Sequence, residues 1–338
     1  MRGGFPDGRA YVGVKMRAFP VEAELPDDLT ADERRVVEDA HAGRATVFPA
    51  PENKEDLANW RTVRASVLVA LLLGPEHPLT FQGLRVQHAC ITGSLDCTHA
   101  VLPVPLRLEN CLFPEKVIFA DAFCPALVFS HGTFRNGLDA SGSRVDNSLQ
   151  LAHTTITGHL HLRGASTKAD LDLTGAALLF PSSSPKNPTV LLNANNTIIG
   201  TNFHLGDDFR AEGKVQCKGA KIGGQLFCRG GKFRYAGDVA LQAQNIETGN
   251  DVFPDWGFEA DWAVLLLGAK IGGILSCSGG RFSYPGDVAL NAQGIETRGG
   301  VFLGEGFDLT FEANGTSVAC RGQDWRDALL PGWKILPV

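Results

Sequence analysis

The chain has 338 residues, 31 of them Lys or Arg and 37 Asp or Glu, so its formal net charge is −6 and its pI is about 5.9. So mild a balance supplies no basic surface for a phosphate backbone and argues against direct nucleic-acid binding. The longest apolar run, Val67 to Leu73, is far shorter than the roughly 20 residues that cross a bilayer, and the N-terminus has no signal-peptide pattern. We therefore expect no membrane span and a cytoplasmic location.

The first 78 residues differ in pattern from the rest of the chain. Residues 1–26 contain several glycines and prolines without a clear period, which predicts an irregular arm. Thr30 followed by Glu33 is typical of a capping box and predicts a short helix. Apolar residues at helical spacing predict a second helix over 54–73. We expect residues 27–78 to form a helical cap on one end of a repeat domain.

Short repeats dominate the remainder. The segment from Gly219 to Phe253 returns from Gly268 to Phe302 at an offset of 49 residues (268 − 219 = 49). Upstream, an aliphatic residue, a variable residue and an apolar or small residue recur in 11-residue steps. Strands this short form no ordinary sheet but are stable when stacked coil on coil. Two steps make a 22-residue coil with two or four strand faces, so residues 79–310 are predicted to form an all-β solenoid, a parallel β-helix.

A family resemblance supports this fold. The sequence LDLTGA at 171–176 follows the A(D/N)LxG register, and residues 93–100 carry a looser version. Across residues 80–310 the chain resembles the pentapeptide-repeat proteins. The resemblance implies a right-handed quadrilateral β-helix, often dimeric and usually without catalytic activity. Some members mimic DNA and protect topoisomerases through strongly acidic faces. We further expect residues 311–338 to cap the C-terminal end, and a homodimer to form through an end coil.

Cysteine placement predicts packing rather than chemistry. Four cysteines occupy positions where other repeats have leucine, which predicts small buried hydrophobes. These four are Cys97, Cys217, Cys228 and Cys277. No CxxC pair, phosphate-binding loop or hydrolase motif occurs, so neither a metal site nor a cofactor is predicted.

Candidate functional residues follow from the coil geometry. Positions one coil apart stack about 4.8 Å from each other, so the variable residues of alternate steps share a face. An amide-rich face is expected to form a side-chain hydrogen-bond ladder and is predicted to carry Gln150, Asp172 and Asn193. The opposite face is predicted to carry Asp139, His161, His204, Phe227 and Phe253, the last three lying beyond an insertion near residues 182–186.

Three functional hypotheses result. The leading one is a non-enzymatic scaffold that binds an unidentified protein partner through one long face. Its candidate binding residues are Gln150, Asp172, Asn193, His204, Phe227 and Phe253. The first alternative is an enzyme acting on a polysaccharide or small metabolite, with Asp139 and His161 as acid–base pair. The second is a DNA mimic that protects a topoisomerase, which requires a continuous negative stripe.

Overall fold

The computed structural model describes residues 24–53, 56–74, 79–181, 190–235, 239–284, 288–303 and 308–310. The predicted β-solenoid is confirmed: all paired strands run parallel and stack into four sheets. The described residues also contain helix α1 (Ala31–His41), helix α2 (Ala65–Leu73) and a turn of 3-10 helix at Leu57–Asn59. The predicted arm up to residue 23 and the C-terminal cap lie outside the described residues.

The inner coils each contribute one strand to each of four sheets, which we name A to D in the order in which the chain enters them, and the end coils lack strands in sheets C or D. Sheet A consists of Thr46–Val47, Leu84–Gln87, Leu106–Glu109, Leu127–Val128, Leu149–Gln150, Leu171–Asp172, Phe203–His204, Leu226–Phe227, Val252–Phe253, Leu275–Ser276 and Val301–Phe302. Sheet B consists of Arg61–Arg64, Ala89–Thr92, Leu112–Phe113, Thr133–Phe134, Thr155–Thr157, Ala177–Leu179, Arg210–Ala211, Lys232–Phe233, Glu259–Ala260, Arg281–Ser283 and Asp308–Thr310.

The other two sheets are shorter. Sheet C consists of Leu95–Asp96, Val117–Ile118, Leu138–Asp139, Leu160–His161, Val190–Asn193, Lys214–Gln216, Val239–Gln242, Ala263–Leu265 and Leu290–Asn291. Sheet D consists of Phe123–Cys124, Arg144–Val145, Ser166–Thr167, Ile198–Ile199, Lys221–Ile222, Glu247–Thr248, Lys270–Ile271 and Glu296–Thr297.

The core is a set of side-chain ladders inside the coils. Because successive residues of a strand point to opposite faces, most two-residue strands bury one side chain and leave the other at the surface. Leucines fill most inward positions of sheets A and C. Phenylalanines stack along the interior, as in the pair Phe113 and Phe134, whose ring centroids lie 4.5 Å apart. Phe209, Phe233, Phe258 and Phe282 continue this packing in later coils.

The insertion lengthens one coil and corrects the predicted faces. A coil takes 22 residues from Asp139 to its partner His161, but 32 from His161 to its partner Asn193 (161 − 139 = 22; 193 − 161 = 32). Asn193 therefore stands on sheet C with Asp139 and His161. The predicted division into two faces is wrong beyond the insertion. Sheet A instead carries Gln150, Asp172, His204, Phe227 and Phe253.

The helical cap is partly as predicted. Thr30 and Glu33 form the predicted capping box of α1. The second predicted helix is wrong in its first half, because Arg61–Arg64 is a strand that pairs with Ala89–Thr92 at the edge of sheet B. Helix α2 begins only at Ala65 and contacts the first strands of sheets B and C and the strand Leu84–Gln87 of sheet A, so it caps its own chain's solenoid.

Glycines at the corner between sheets D and A form a close-packed column. A Cβ atom on Gly223 would lie 2.1 Å from the carbonyl oxygen of Gly200, and one on Gly249 would lie 2.0 Å from that of Gly223. Gly272 repeats the arrangement against Gly249. These contacts explain the repeated Gly-Gly pairs as turns, as expected from the sequence, because no side chain fits between successive coils here.

Candidate functional site: the outer face of sheet A

Three rings form a continuous stack on the outside of sheet A. The imidazole of His204 lies 5.0 Å from the Phe227 ring, centroid to centroid, at an interplanar angle of 9°. The Phe227 ring lies 5.8 Å from that of Phe253 at 26°. We name these residues the ring stack. All three are half-buried, and aromatic pairs of this kind contribute roughly 0.5–1.5 kcal/mol each. Since the rings cover one another's faces, their outer edges are the parts of the rings that remain accessible on this face.

The strands place the ring stack without strain. His204 pairs with Phe227, and Phe227 with Phe253, in register on successive coils. Their inward neighbours are fully buried core residues, so each strand is fixed by its inner side chain while its outer ring remains available. Ser276 follows in the same column and is buried, and beyond it Phe302 is 50% exposed. The stacked rings thus lie on three adjacent coils, and Ser276 separates them from Phe302.

An ion pair between the half-exposed Arg229 and the buried Asp255 supports one side of the ring stack. Arg229 donates from Nε to Asp255 at 3.1 Å and lies 5.9 Å from the ring centroid of Phe253. The side chain of Asp255 is almost completely buried, and its hydrogen bond raises the pKa of Arg229. Next to it Trp256 is 61% exposed. This pair holds a guanidinium beside the last ring of the stack.

The sequence reasoning did not find Arg229, Asp255 and Trp256, although a signal was present. The repeat has LFCRGG at residues 226–231 and LSCSGG at 275–280, whereas the intervening coil reads VFPDWG at 252–257. A proline, a carboxylate and an indole there depart from the pattern of both neighbours. Stacking of the coils does not require these three residue types, so their departure from the repeat is a signal of a role other than packing.

The predicted acid–base residues lie on sheet C. Asp139 and His161 pair in register on adjacent coils, as the spacing predicted. Among the described contacts no hydrogen bond joins them. The Asp139 carboxylate instead accepts from Ser141 Oγ at 2.7 Å and lies 3.5 Å from Lys116 Nζ. The His161 ring stacks against His159 with centroids 5.3 Å apart.

The electrostatics of this pair are ordinary for a half-buried surface. Burial raises the pKa of Asp139, but the hydrogen bonds from Ser141 and the charge of Lys116 act against it, and the pKa lies below its usual value. Burial lowers the pKa of His161 more than the Asp139 charge raises it. At neutral pH the two groups are therefore a carboxylate beside an uncharged imidazole. Within the part of the chain that the structure describes, no hydrogen bond orients that imidazole toward a substrate proton.

The predicted amide ladder exists, but on sheet C. Gln216 donates from Nε2 to Gln242 Oε1 at 2.8 Å and accepts from Asn195 Nδ2 at 3.1 Å. Asn193 accepts from the backbone of Asn195 at 3.2 Å. These amides satisfy one another, and Gln242 is only 8% exposed. The ladder therefore stabilises the stacking of coils. Gln150 is separate from it, half-buried on sheet A between Val128 and Asp172.

Two open cavities lie elsewhere on the solenoid. One of about 360 Å³ on sheet B is lined by Asp208, Arg210, Ala211, Glu212, Lys232 and Arg234. The other, of about 390 Å³, is lined on sheet D by residues that include Ile198, Lys221 and Glu247. Neither cavity includes any of the predicted site residues. Both are lined by charges of opposite sign, without the apolar enclosure typical of small-molecule sites.

The cysteines have no reactive arrangement. All seven described cysteines are buried and none of them forms a disulfide, which confirms the buried positions predicted for Cys97, Cys217, Cys228 and Cys277. Burial raises the pKa of the Cys97 and Cys217 thiols to about 12. Within the described residues, no group of three or more histidine, cysteine or acidic side chains is arranged to hold a metal ion. Across the same residues, no helix has the length and apolar character to span a membrane.

Comparison of the chain with protein-family models, with curated proteins and with solved structures finds no match. The functional argument therefore rests on the geometry of the faces described above.

Proposed function

We propose that this chain is a non-enzymatic β-helical scaffold that binds a protein partner through the outer face of sheet A. The observation that carries the proposal is the ring stack of His204, Phe227 and Phe253, half-buried on an outward strand column. Aromatic residues on an accessible face are enriched in protein interfaces, where they serve as energetic anchors. The predicted binding residues Gln150 and Asp172 precede the stack in the same column.

The enzyme hypothesis receives less support from the geometry. Asp139 is engaged by Ser141 and Lys116, and neither Asp139 nor His161 lines a described cavity. A polysaccharide would also be expected to lie on an exposed ring face, whereas the rings of sheet A cover one another. Catalysis by Asp139 and His161 therefore stays a hypothesis that no described contact favours.

The family resemblance belongs to this proposal as well. Four parallel sheets per coil are what a quadrilateral pentapeptide-repeat β-helix would have, and a binding role without catalysis agrees with the resemblance. A topoisomerase-protecting DNA mimic is less favoured, since the outward column of sheet D alternates in charge. That column contains Lys221, Glu247, Lys270 and Glu296. A cytoplasmic location and a homodimer through an end coil stay predictions.

Affinity purification from cell extract tests the binding face. The wild-type chain is compared with the double variant Phe227→Ala, Phe253→Ala, which removes two rings and leaves the inward core residues unchanged. The matched control is Ile198→Ala, because Ile198 is a 55% exposed apolar residue on the outside of sheet D. We expect the double variant to lose at least one partner that the wild type and the control both retain.

The proposal fails if the double variant recovers every wild-type partner in wild-type amounts. Loss of the same partner from the Ile198→Ala control would also count against sheet A as the site. Thermal unfolding of all three proteins checks that any lost partner reflects the surface and not the fold.

A further inference from the structure

The ring stack is bordered by carboxylates, and this border indicates what kind of partner the face fits. Asp172 directly precedes His204 in the outward column of sheet A. Asp170 and Asp251 lie where the chain enters sheet A, and Asp207 lies where the chain leaves it. We name these four aspartates the acidic border. The inference rests on the proposed function, since it concerns the same face.

The Asp170 carboxylate is held in its charged form. Burial raises its pKa, but hydrogen bonds from Thr201 Oγ1 and from the Asn202 backbone outweigh this effect. The His204 imidazole, with Nε2 4.0 Å from Oδ1 of Asp170, lowers the pKa further. The net pKa lies below its ordinary value, so this member of the border is negative at neutral pH.

Two further members, Asp251 and Asp172, are fixed by short local hydrogen bonds. Asp251 accepts from Gln225 Nε2 at 2.9 Å and from the Ile274 backbone at 2.8 Å. Asp172 accepts from the backbone of Thr174 at 2.9 Å, which orients its carboxylate within the turn. Asp207 is exposed. The hydrogen-bonded carboxylates of Asp251 and Asp172 lose little side-chain entropy when a cation binds to them.

The cations at the same corners are already paired. Arg229 is bound to the buried Asp255, and Lys168 Nζ contacts Asp146 at 2.5 Å. Neither ion pair contains a border aspartate as its hydrogen-bonded partner, although the charge of Asp207 also raises the pKa of Arg229. The face therefore presents an apolar strip whose border is negative, although the net charge of the whole chain is mild.

We propose that the ring stack and its acidic border bind a cationic segment of a partner protein, one that places apolar side chains on the ring edges and lysine or arginine beside the aspartates. Charge complementarity steers association and excludes like-charged competitors. A polyanionic nucleic acid is repelled by the same four aspartates. A second copy of this chain would have to supply the cationic segment from its own surface.

Selection from a random dodecapeptide phage library tests this proposal with the full chain as bait. The Phe227→Ala, Phe253→Ala variant serves for counter-selection, so that only peptides that need the rings are retained. We expect the retained peptides to contain roughly twice the lysine and arginine of the starting library or more, in line with electrostatic selection at interfaces.

Charge variants then test the border directly on one selected peptide. Asp172→Asn preserves the local turn, because Asn193 and Asn291 accept the same backbone hydrogen bond on other coils. Asp207→Asn suits the left-handed backbone of that residue, which Asn196 and Asn245 also adopt. The double variant is expected to weaken peptide binding about tenfold at low salt, and by less at high salt.

The control variant is Asp96→Asn, which removes one charge from the equivalent turn on sheet C, where Asp96 accepts from the Thr98 backbone. We expect it to leave the dissociation constant unchanged. Retained peptides that are neutral or acidic would overturn the cationic partner while leaving a ring-dependent binding face. Equal binding by the wild type and the Asp172→Asn, Asp207→Asn variant would overturn it too. Failure to retain any ring-dependent peptide would overturn both the inference and the face on which it rests.

Discussion

At the scale of single residues, position in the coil decides whether a side chain is chemically available. The thiol of Cys111 is fully buried and donates to the Val86 carbonyl, and burial raises its pKa to about 12. Cys124 is buried on sheet D with its pKa raised to a similar value. A thiol becomes nucleophilic only as thiolate, so these cysteines act as packing groups.

The buried cysteine thiols should be alkylated only when the chain unfolds. A Cys320→Ser variant removes the one cysteine outside the described residues, and we expect the remaining seven thiols to resist iodoacetamide at pH 7.5 in native buffer. In denaturant all seven should react. Mass spectrometry counts the adducts. Rapid labelling of any of the seven in native buffer would show that its coil opens to solvent or that its thiol is not buried.

The second residue-scale prediction concerns the cap. Arg64 binds Glu33 through two side-chain hydrogen bonds of 2.8 Å, and this bidentate contact lowers the pKa of the buried Glu33 carboxyl from 4.5 to about 2. A lowered folded-state pKa means that the stabilisation is present above pH 4.5 and is lost as the pH falls toward 2. A pKa change of this size corresponds to a contribution on the order of 3 kcal/mol.

The Glu33→Gln substitution should remove this contribution to the pH dependence of folding stability. Glutamine retains the capping-box geometry with Thr30 but cannot ionise. We expect the variant to be less stable than the wild type at pH 7 and to lose less stability between pH 5 and pH 2, as measured by urea unfolding. Glu38→Gln on the exposed side of α1 is the control. Parallel pH profiles for the wild type and Glu33→Gln would contradict the assignment.

At the scale of elements, the corners between sheets limit what the sequence can vary. Gly223 has backbone on either side, with the Gly200 carbonyl oxygen 2.1 Å from where its Cβ would lie. Gly164, at the corner between sheets C and D, has open space around its Cβ position, and Asn196 adopts the same left-handed conformation on the next coil. Available space, not the identity of the residue as glycine, distinguishes the two positions.

This contrast predicts that alanine at position 223 lowers the free energy of unfolding more than the larger asparagine does at position 164. Gly223→Ala should reduce the free energy of unfolding by about 1–3 kcal/mol, because the coils must separate to admit a methyl group. Gly164→Asn should change it by less than about 0.5 kcal/mol, the range of tolerated surface changes. Chemical denaturation measures both. Equal costs would mean that the close approach at the corner between sheets D and A is not a constraint.

The sequence predicted the coil but not the register across the insertion, for a physical reason. Leu171-Asp172 on sheet A and Leu160-His161 on sheet C have the same pattern, a buried aliphatic residue followed by a surface residue. When 32 residues replace 22, nothing in that pattern tells which sheet the chain has rejoined. Only the pairing of Asp172 with His204 settles it, and the candidate binding face changes accordingly.

The prediction of a helix over residues 54–73 is wrong in its first half because tertiary strand pairing overrides the local helical periodicity. Trp60 and Val63 fit a helical spacing, yet Arg61–Arg64 gains more by pairing with Ala89–Thr92 at an open sheet edge. The bidentate contact of Arg64 with Glu33 also fixes this strand against α1. The capping box at Thr30 was predictable, because its hydrogen bonds involve residues three positions apart.

At the scale of the whole molecule, the four sheets differ in the side chains that their outer faces carry. Sheet D alternates charges, sheet C has mutually satisfied amides, and the cavity on sheet B is lined by both signs of charge. Sheet A combines aromatic side chains with an acidic border. A solenoid exposes all four faces along its length, and we propose that the ring stack determines which of them meets a partner.

Site-specific photocrosslinking in cells tests the central claim most directly. Benzoylphenylalanine replaces Phe227, where an aromatic ring already stands, or Ile198 as a matched exposed position on sheet D. We predict a discrete crosslinked product from position 227 and none from position 198. No product from 227, or the same product from both positions, would contradict partner binding through the outer face of sheet A.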